Sequence, residues 1–193
     1  MIWNNLIDKK VILGSQSPRR IELLKSMGLK FETLVADLDE NYPAHLKKEE
    51  IPLYLAKLKA DFLSQQITPN DVLITADTIV WHNGQALNKP QDKSEAFQML
   101  SSLSGATHSV FTGVHVSYAN RQWHQFDETK VTFNSLTSDE IQYYIEHYSP
   151  FDKAGSYGAQ DFIGIVGIQS LQGSYFNVMG LPTHLLFPIL KSI

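Results

Sequence analysis

Short apolar runs alternate with segments of helical apolar spacing, and this alternation constrains the fold more than any other feature of the sequence. An apolar run covers residues 11–14, a helical period begins at Ile21, and a second strand pattern covers residues 31–36. Residues 51–63 carry apolar side chains at helical spacing, and residues 72–76 form a further buried-strand run. Strands and helices that alternate in this way predict an α/β or α+β fold with a mixed sheet.

The second half of the chain adds clear turn and cap signals. Asn83-Gly84 separates two short strand patterns and predicts a hairpin, because Asn-Gly suits a type I′ turn. We expect a helix over residues 94–103 and two long strands over residues 108–118 and 122–133. The remaining predictions are a helix that opens at the capping box of residues 137–140 and ends at Pro150, a strand near residues 163–168, and a closing helix from near Pro182.

Composition limits the classes of function. The 193 residues are 43% hydrophobic, which is enough for a sizeable core, and the absence of cysteine excludes a disulfide framework, a thiolate metal site and a cysteine nucleophile. No apolar run is long enough to span a bilayer, so we expect a soluble cytoplasmic protein with no membrane partner. The net charge of −4 argues against broad nucleic-acid binding, whereas a small phosphorylated ligand needs only a local basic cluster.

One such cluster lies where the first predicted strand meets the first predicted helix. Ser15, Ser17, Arg19 and Arg20 surround this point, with Ser17 as the expected N-cap and Pro18 as the first helical residue. Backbone N–H groups at a helix N-terminus favour an anion, and two hydroxyls and two guanidinium groups strengthen that preference. Taken alone, the motif fits a capped helix with two solvated arginines equally well, and it is not a Walker P-loop.

Four further positions carry groups that suit phosphate or metal chemistry. Asp77 is expected at the carboxyl end of a buried strand, where it could serve as metal ligand, general base or simple turn former. Glu40 closes an acidic stretch that could bind a hard cation or remain solvated. Lys89 and Lys153 each lie in a predicted turn, where they could contact phosphate or face solvent.

The helix pattern of residues 51–63 carries two lysines, Lys57 and Lys59. Because they are two residues apart on a helix, at most one of them should face a given site. The histidines show no metal-binding spacing, and no serine-hydrolase motif is present. A basic helix N-terminus, a strand-end aspartate, a separate acidic residue and scattered lysines together indicate metal-assisted phosphoryl or nucleotidyl chemistry.

The same residues lie in segments that resemble the Maf family of nucleotide pyrophosphatases over nearly the whole chain. The segments that carry the resemblance are VILGSQSPRR at 11–20, LAKLKA at 55–60, ADTIV at 76–80, NKPQD at 88–92, LSG at 103–105 with HSV at 108–110, DKAGSYG at 152–158 and NVMGLP at 177–182. The resemblance implies a two-lobed fold related to inosine-triphosphate pyrophosphatases, so residues 1–193 would form a single domain with two lobes around an active-site cleft. It also implies hydrolysis of a nucleoside triphosphate to the monophosphate and pyrophosphate with a divalent cation, Mg²⁺ or Mn²⁺. We expect a homodimer, the commonest assembly for such a chain.

Roles for individual residues follow from the resemblance and not from spacing. Asp77 is implied as the catalytic proton acceptor, and we expect Glu40 and Asp77 to hold the cation. The phosphate-binding residues would be Ser15, Ser17, Arg20, Lys59, Lys89 and Lys153. The three positions that distinguish the family's branches are Arg19, Thr78 and Gln160, which resemble the branch that acts on dTTP and UTP.

The chain departs from the family pattern at three positions. Gly14 replaces the usual alanine, and Ala159 and Asp161 flank Gln160 where isoleucine and glycine are more common.

Two other classes of function stay open beside catalysis. One is a nucleotide-binding regulator of cell division without turnover, and the other is a nucleic-acid-binding module, which the acidic balance disfavours.

Overall fold

The computed structural model describes residues 2–193 and divides the chain into two compact units. The first unit contains the chain up to Asp77, with residues 112–127 and 180–193. The second unit contains residues 78–111 and 128–179. In the part of the chain that the structure describes, no helix has the length and apolar character needed to cross a membrane.

Seven strands and seven helices follow one another in the described chain. The strands are β1 (Val11–Leu13), β2 (Glu32–Thr33), β3 (Val72–His82), β4 (Gln85–Leu87), β5 (Thr107–Tyr118), β6 (Arg121–Phe133) and β7 (Ile168–Gln172). The helices are α1 (Pro18–Ser26), α2 (Glu50–Ser64), α3 (Lys93–Leu103), α4 (Ser138–Tyr148), α5 (Phe162–Gly167), α6 (Tyr175–Val178) and α7 (Thr183–Lys191). Short 3-10 turns cover Asn4–Leu6, Pro150–Asp152 and Ala154–Ser156.

The strands form one sheet in the order β2-β1-β3-β5-β6-β7, with β4 paired to β3. β1 pairs in parallel with both β2 and β3, whereas the β3–β4 and β6–β7 pairs are antiparallel. The sheet is therefore mixed, which confirms the predicted fold class. The turn between β3 and β4 has φ values of 49° at Asn83 and 82° at Gly84, as a type I′ hairpin requires.

The core of the first unit joins its parallel strands to helix α2. Ile12 and Leu73 from neighbouring strands pack with Ala60 and Leu63 of α2. The buried Thr75 hydroxyl donates a hydrogen bond of 2.6 Å to the Ala56 carbonyl, which ties β3 to α2. This packing fixes the position of the α2 face that looks toward β3.

The core of the second unit is built from helices α3 and α4 against the strands. Leu100 and Leu103 of α3 are fully buried, as is Tyr144 of α4. The predicted capping box starts α4: the Thr137 hydroxyl accepts from the Glu140 N–H at 3.3 Å, and the Thr137 N–H donates to the Glu140 carboxylate at 2.7 Å.

Three sequence-based predictions of elements are wrong in part. Asp77 does not end a strand, because β3 runs unbroken from Val72 to His82 and the β-branched residues after Asp77 continue its pairing. The strand expected over residues 31–36 shrinks to the two residues of β2, since its partner β1 has only three. Residues 163–168 form most of α5 and only the first residue of β7, because a short apolar run does not distinguish a strand from a buried helix.

Candidate active site

The junction between β1 and α1 is a tight turn with polar groups on its inner side. Pro18 is the first helical residue and Ser17 occupies the N-cap position, as predicted, but the Ser17 side chain makes no capping hydrogen bond. The Ser15 hydroxyl accepts a hydrogen bond of 3.2 Å from the Ser17 N–H instead. Gly14 precedes this turn, and a Cβ there would lie 2.5 Å from Leu63 Cδ1, so only glycine fits without a shift of its neighbours.

Arg20 is held against the same turn within the first unit. Its Nε donates to the Gly180 carbonyl at 2.8 Å, and its Nη1 donates to the Ser15 hydroxyl at 3.3 Å. Burial lowers the pKa of the Arg20 guanidinium, and the negative charge of Asp77 opposes that shift. A half-buried guanidinium in a fixed orientation is suited to bind a phosphate group.

A buried ion pair links α2 to β3. Lys59 and Asp77 are each only 7% exposed, and the Lys59 ammonium lies 2.5 Å from Asp77 Oδ1. The same ammonium lies 3.0 Å from Oε1 of Glu40, which is in the loop after β2. Lys57 forms a separate pair with Asp61 at 2.5 Å on the exposed face of α2. The two lysines therefore face different directions, which confirms the prediction that their side chains point away from each other on α2.

The donor set of the first unit fits the chemistry of a hard divalent cation such as Mg²⁺ or Mn²⁺. Glu40 and Asp77 supply hard carboxylate oxygens that converge on one ammonium group. Within residues 2–193 there is no cluster of three or more histidine, aspartate or glutamate residues that could hold a metal by itself. Mg²⁺ typically uses one or two carboxylates and completes its shell with substrate phosphates and water, so two carboxylates are sufficient.

The second unit contains two of the predicted lysines. The Lys153 side chain is only 11% exposed, and its Nζ lies 2.7 Å from Asp152 Oδ1 and 3.6 Å from Asp161 Oδ2. The Gly155 N–H donates to the Asn88 carbonyl at 3.2 Å, so the segment that carries Lys89 runs beside the segment that carries Lys153. A Cβ at Gly155, where φ is +66°, would lie 2.8 Å from Val80 Cγ2, which explains the glycine.

Gln160 occupies a turn of the second unit just before α5. The Asp161 N–H donates to the Gly158 carbonyl at 3.1 Å and closes that turn. The Gln160 Oε1 atom is buried and has no hydrogen-bond partner among the described residues. A buried amide oxygen without a partner is costly, so this atom would gain from any hydrogen-bond donor that reaches it.

Tyr144 contacts the turn that carries Gln160, and sequence reasoning did not identify it. Its hydroxyl donates to Asp161 Oδ2 at 2.9 Å and accepts from the Gly158 N–H at 3.1 Å, so it contacts both ends of the turn. Tyr144 belongs to the apolar stripe of α4, with Ile141 and Ile145, and this pattern indicates only a core position. A tyrosine in such a stripe nevertheless indicates a hydrogen bond inside the core, because a buried hydroxyl needs a partner.

The structure thus groups the predicted residues by unit. The first unit contains Ser15, Ser17, Arg19, Arg20, Glu40, Lys59 and Asp77, and the second contains Thr78, Lys89, Lys153 and Gln160. Direct contacts join Ser15 to Arg20 and Lys59 to both Asp77 and Glu40. The prediction of a single domain with two lobes around a cleft stays a prediction.

The chain is similar to several known proteins. A protein of Bacteroides fragilis named dTTP/UTP pyrophosphatase is 50% identical over 192 residues, 98% of each chain. A protein of Porphyromonas gingivalis with the same name is 49% identical over 191 residues, 97% of this chain and 96% of the relative. The solved structure of the Staphylococcus aureus Ham1 protein matches with a TM-score of 0.54 at 12% identity and covers 95% of this chain and 99% of that chain, which shows a shared fold.

The family model described as Maf-like protein matches residues 10–193. This range includes each of the site residues described above. Because the match extends over nearly the whole chain and the two relatives align from end to end, the chain belongs to the Maf-like protein family.

Proposed function

We propose that this protein hydrolyses dTTP and UTP to the nucleoside monophosphate and pyrophosphate, in a house-cleaning role that extends to modified pyrimidine nucleotides. The observation that carries the proposal is the buried Lys59–Asp77 pair with Glu40 on the same ammonium. It places a carboxylate, a cation and a second carboxylate in one unit that also contains the Ser15–Arg20 contact. The names of the relatives from Bacteroides fragilis and Porphyromonas gingivalis support this substrate class.

Phosphate binding in the proposal begins at the N-terminus of α1. Ser15, Ser17 and Arg20 would bind phosphate oxygens together with the first N–H groups of the helix. Lys59, Lys89 and Lys153 would neutralise the charge that develops on the leaving pyrophosphate, because a positioned cation acts most strongly where charge accumulates. The fixed orientation of Arg20 between Gly180 and Ser15 lowers the entropic cost of this binding.

Asp77 would act as the general base. Its position in the middle of a buried strand fixes the carboxylate, and the adjacent ammonium of Lys59 compensates its charge without satisfying all of its lone pairs. Asp77 would accept a proton from a water molecule that attacks the α-phosphorus in line. When the triphosphate arrives, Lys59 can turn from the carboxylates to a phosphate oxygen, since three donors of one ammonium are available.

Glu40 and Asp77 would hold the divalent cation, Mg²⁺ or Mn²⁺. When it is bound, the cation supplies charge neutralisation at the phosphate oxygens. Arg19, Thr78 and Gln160 would select the base. The buried Gln160 Oε1 atom can accept a hydrogen bond from the N3–H group of uracil or thymine.

The proposal includes a homodimer in the cytoplasm that binds neither nucleic acid nor membranes. Sedimentation velocity tests the assembly, and a mass of one chain of 21.8 kDa at assay concentration would contradict it. Cell fractionation tests the compartment. Binding to duplex DNA or anionic vesicles at 0.15 M salt would contradict the expected partners.

The experiment that tests the function is pyrophosphate release from dTTP, UTP, CTP, dATP, GTP, 7-methyl-GTP and C5-modified pyrimidine nucleotides, with Mg²⁺ or Mn²⁺. We expect metal-dependent release from dTTP and UTP that is lost in Asp77→Asn, because the amide keeps the shape but removes the base. Asp61→Asn is the matched control, since Asp61 pairs with Lys57 at the same distance on the exposed surface. Binding without release from any nucleotide would favour the alternative, a nucleotide-binding regulator of cell division.

A further inference from the structure

We propose that Asp161 is a positioning residue that acts through Tyr144 to hold the turn carrying Gln160, and so sets the preference for uracil and thymine over cytosine. The inference rests on the proposed function, in which Gln160 contacts the base. The contacts of Asp161, Tyr144 and Lys153 all lie within the second unit.

The turn of residues 158–161 is held from both ends by one oxygen atom. The Tyr144 hydroxyl accepts from the N–H of Gly158 at 3.1 Å and donates to the carboxylate of Asp161 at 2.9 Å. Gln160 lies between these two anchored residues, and the Asp161 N–H closes the turn onto the Gly158 carbonyl. A residue between two fixed points has little freedom to move its Cα atom.

The hydroxyl has a defined direction in this chain of hydrogen bonds. Tyr144 is fully buried, and burial together with the Asp161 carboxylate raises the pKa of the phenol far above its usual range. The phenol therefore stays protonated and has one hydrogen to donate, which goes to Asp161. The lone pairs are then available to accept from Gly158.

The Asp161 side chain accepts a hydrogen bond from Tyr144 and makes none to the N-terminus of its own helix, α5. It occupies the N-cap position of α5, where an aspartate ordinarily accepts from the helix, but its side chain makes no capping hydrogen bond. A Cβ at Gly158 would lie 2.5 Å from Asp161 Oδ2, and a Cβ at Gly164 would lie 2.4 Å from the Ala159 carbonyl oxygen. Because both residues are glycines, no Cβ atom occupies the space that the Asp161 carboxylate and the turn fill.

The same carboxylate also reaches a lysine. Asp161 Oδ2, which accepts from Tyr144, lies 3.6 Å from Lys153 Nζ. Asp161 therefore joins the turn that carries Gln160 to a lysine that the proposed function assigns to phosphate. A negative charge in this place is compensated, because a nearly buried ammonium faces it.

The consequence for specificity follows from the chemistry of the two bases. Uracil presents an N3–H donor that the buried Gln160 Oε1 can accept, whereas N3 of cytosine has no hydrogen. A turn that is released from Tyr144 lets the amide shift or rotate. UTP then loses a hydrogen bond that CTP never makes, so the ratio of the kcat/KM values for UTP and CTP falls.

The test compares this ratio in Asp161→Gly, Asp161→Asn and Tyr144→Phe, with Tyr143→Phe as the matched control. Tyr143 is the neighbouring tyrosine of α4 and is 45% exposed. We expect Asp161→Gly and Tyr144→Phe to lower the ratio about tenfold, the effect of one hydrogen bond. Asp161→Asn keeps an acceptor for the phenol and should stay within about twofold of the wild type, as should Tyr143→Phe.

Each other result overturns the inference. An unchanged ratio, or an equal loss of kcat/KM for both nucleotides, would mean that Tyr144 and Asp161 serve folding alone. If the ratio of kcat/KM values fell as far in Asp161→Asn as in Asp161→Gly, the effect would come from the charge of Asp161 and not from its hydrogen bond with Tyr144. If the wild type releases no pyrophosphate, the proposed function fails separately, and the ratio of Kd values for α,β-methylene analogues of UTP and CTP, measured by calorimetry, tests the same prediction.

Discussion

Removal of the Lys59 ammonium should be far more costly than removal of an exposed lysine. In Lys59→Met, the nearly buried Asp77 carboxylate loses a partner at 2.5 Å. Breaking a buried ion pair on one side costs about 3–5 kcal/mol, because the remaining charge is left desolvated. That is a large part of the free energy of unfolding of an ordinary domain, which is about 5–15 kcal/mol.

The two partners should not be equivalent. In Asp77→Asn, the Lys59 ammonium still has Glu40 at 3.0 Å, so the loss is that of one charge-assisted hydrogen bond, about 1.5–3 kcal/mol. In the double variant Lys59→Met/Asp77→Asn, no buried charge is left without a partner. We therefore expect the double variant to be more stable than Lys59→Met alone, with a coupling energy of about 2 kcal/mol.

The assay is urea unfolding at pH 7, followed by both far-ultraviolet circular dichroism and tryptophan fluorescence. Coincidence of the two transitions checks that one free energy describes both units. Lys57→Met is the control, since the Lys57–Asp61 pair is about half exposed and its loss should cost about 0.5 kcal/mol. A cost of Lys59→Met no larger than that of Lys57→Met, or free energies that simply add in the double variant, would refute the reasoning.

Two further predictions concern stability. Gly14→Ala should lower the free energy of unfolding in urea by about 1–3 kcal/mol, because the new Cβ meets Leu63 Cδ1 and Thr75 Cγ2. In the double variant with Leu63→Ala, the total cost should be smaller than the sum of the two single costs. Full additivity would contradict the clash. Burial lowers the pKa of His108 from 6.5 to about 3, so the unfolded chain takes up a proton at this residue below about pH 6.5 while the folded chain does not. Its contribution to stability is therefore complete above pH 6.5 and is lost as the pH falls toward 3, at up to about 1.4 kcal/mol per pH unit. In His108→Gln, the fall in the free energy of unfolding between pH 6.5 and 4.5 should be shallower by that slope, and an unchanged slope would show that His108 does not titrate in this way.

The sequence predicted elements best where local signals agreed. Asn83-Gly84 demanded positive φ at both turn positions, and the Thr137 capping box marked the start of α4. The sequence-based predictions failed where tertiary packing determined the structure. An aspartate favours the end of a strand, yet Asp77 lies inside β3, since Lys59 compensates its charge there.

The residues of the candidate site also include some that local signals predicted and others that only tertiary packing brings together. Helical spacing separated Lys57 from Lys59, but only the fold shows that Glu40 and Asp77 share the Lys59 ammonium. Tyr144 and Asp161 are 17 residues apart and meet only through tertiary packing, so no motif predicts their hydrogen bond. The strand expected in residues 163–168 was lost to α5, because Gly164 lets the helix approach the Ala159 carbonyl.

The unbroken course of β3 has a consequence for how the specificity of such a protein can change. Asp77 and Thr78 are consecutive residues of this strand, although one belongs to the first unit and the other to the second. The described chain contains no cis peptide bond, so their Cα atoms are about 3.8 Å apart by covalent geometry alone. The backbone distance between the proposed base and the proposed selecting residue is thus constant. In the proposed function, a substitution at position 78 would therefore alter nucleotide selection without moving the backbone of Asp77.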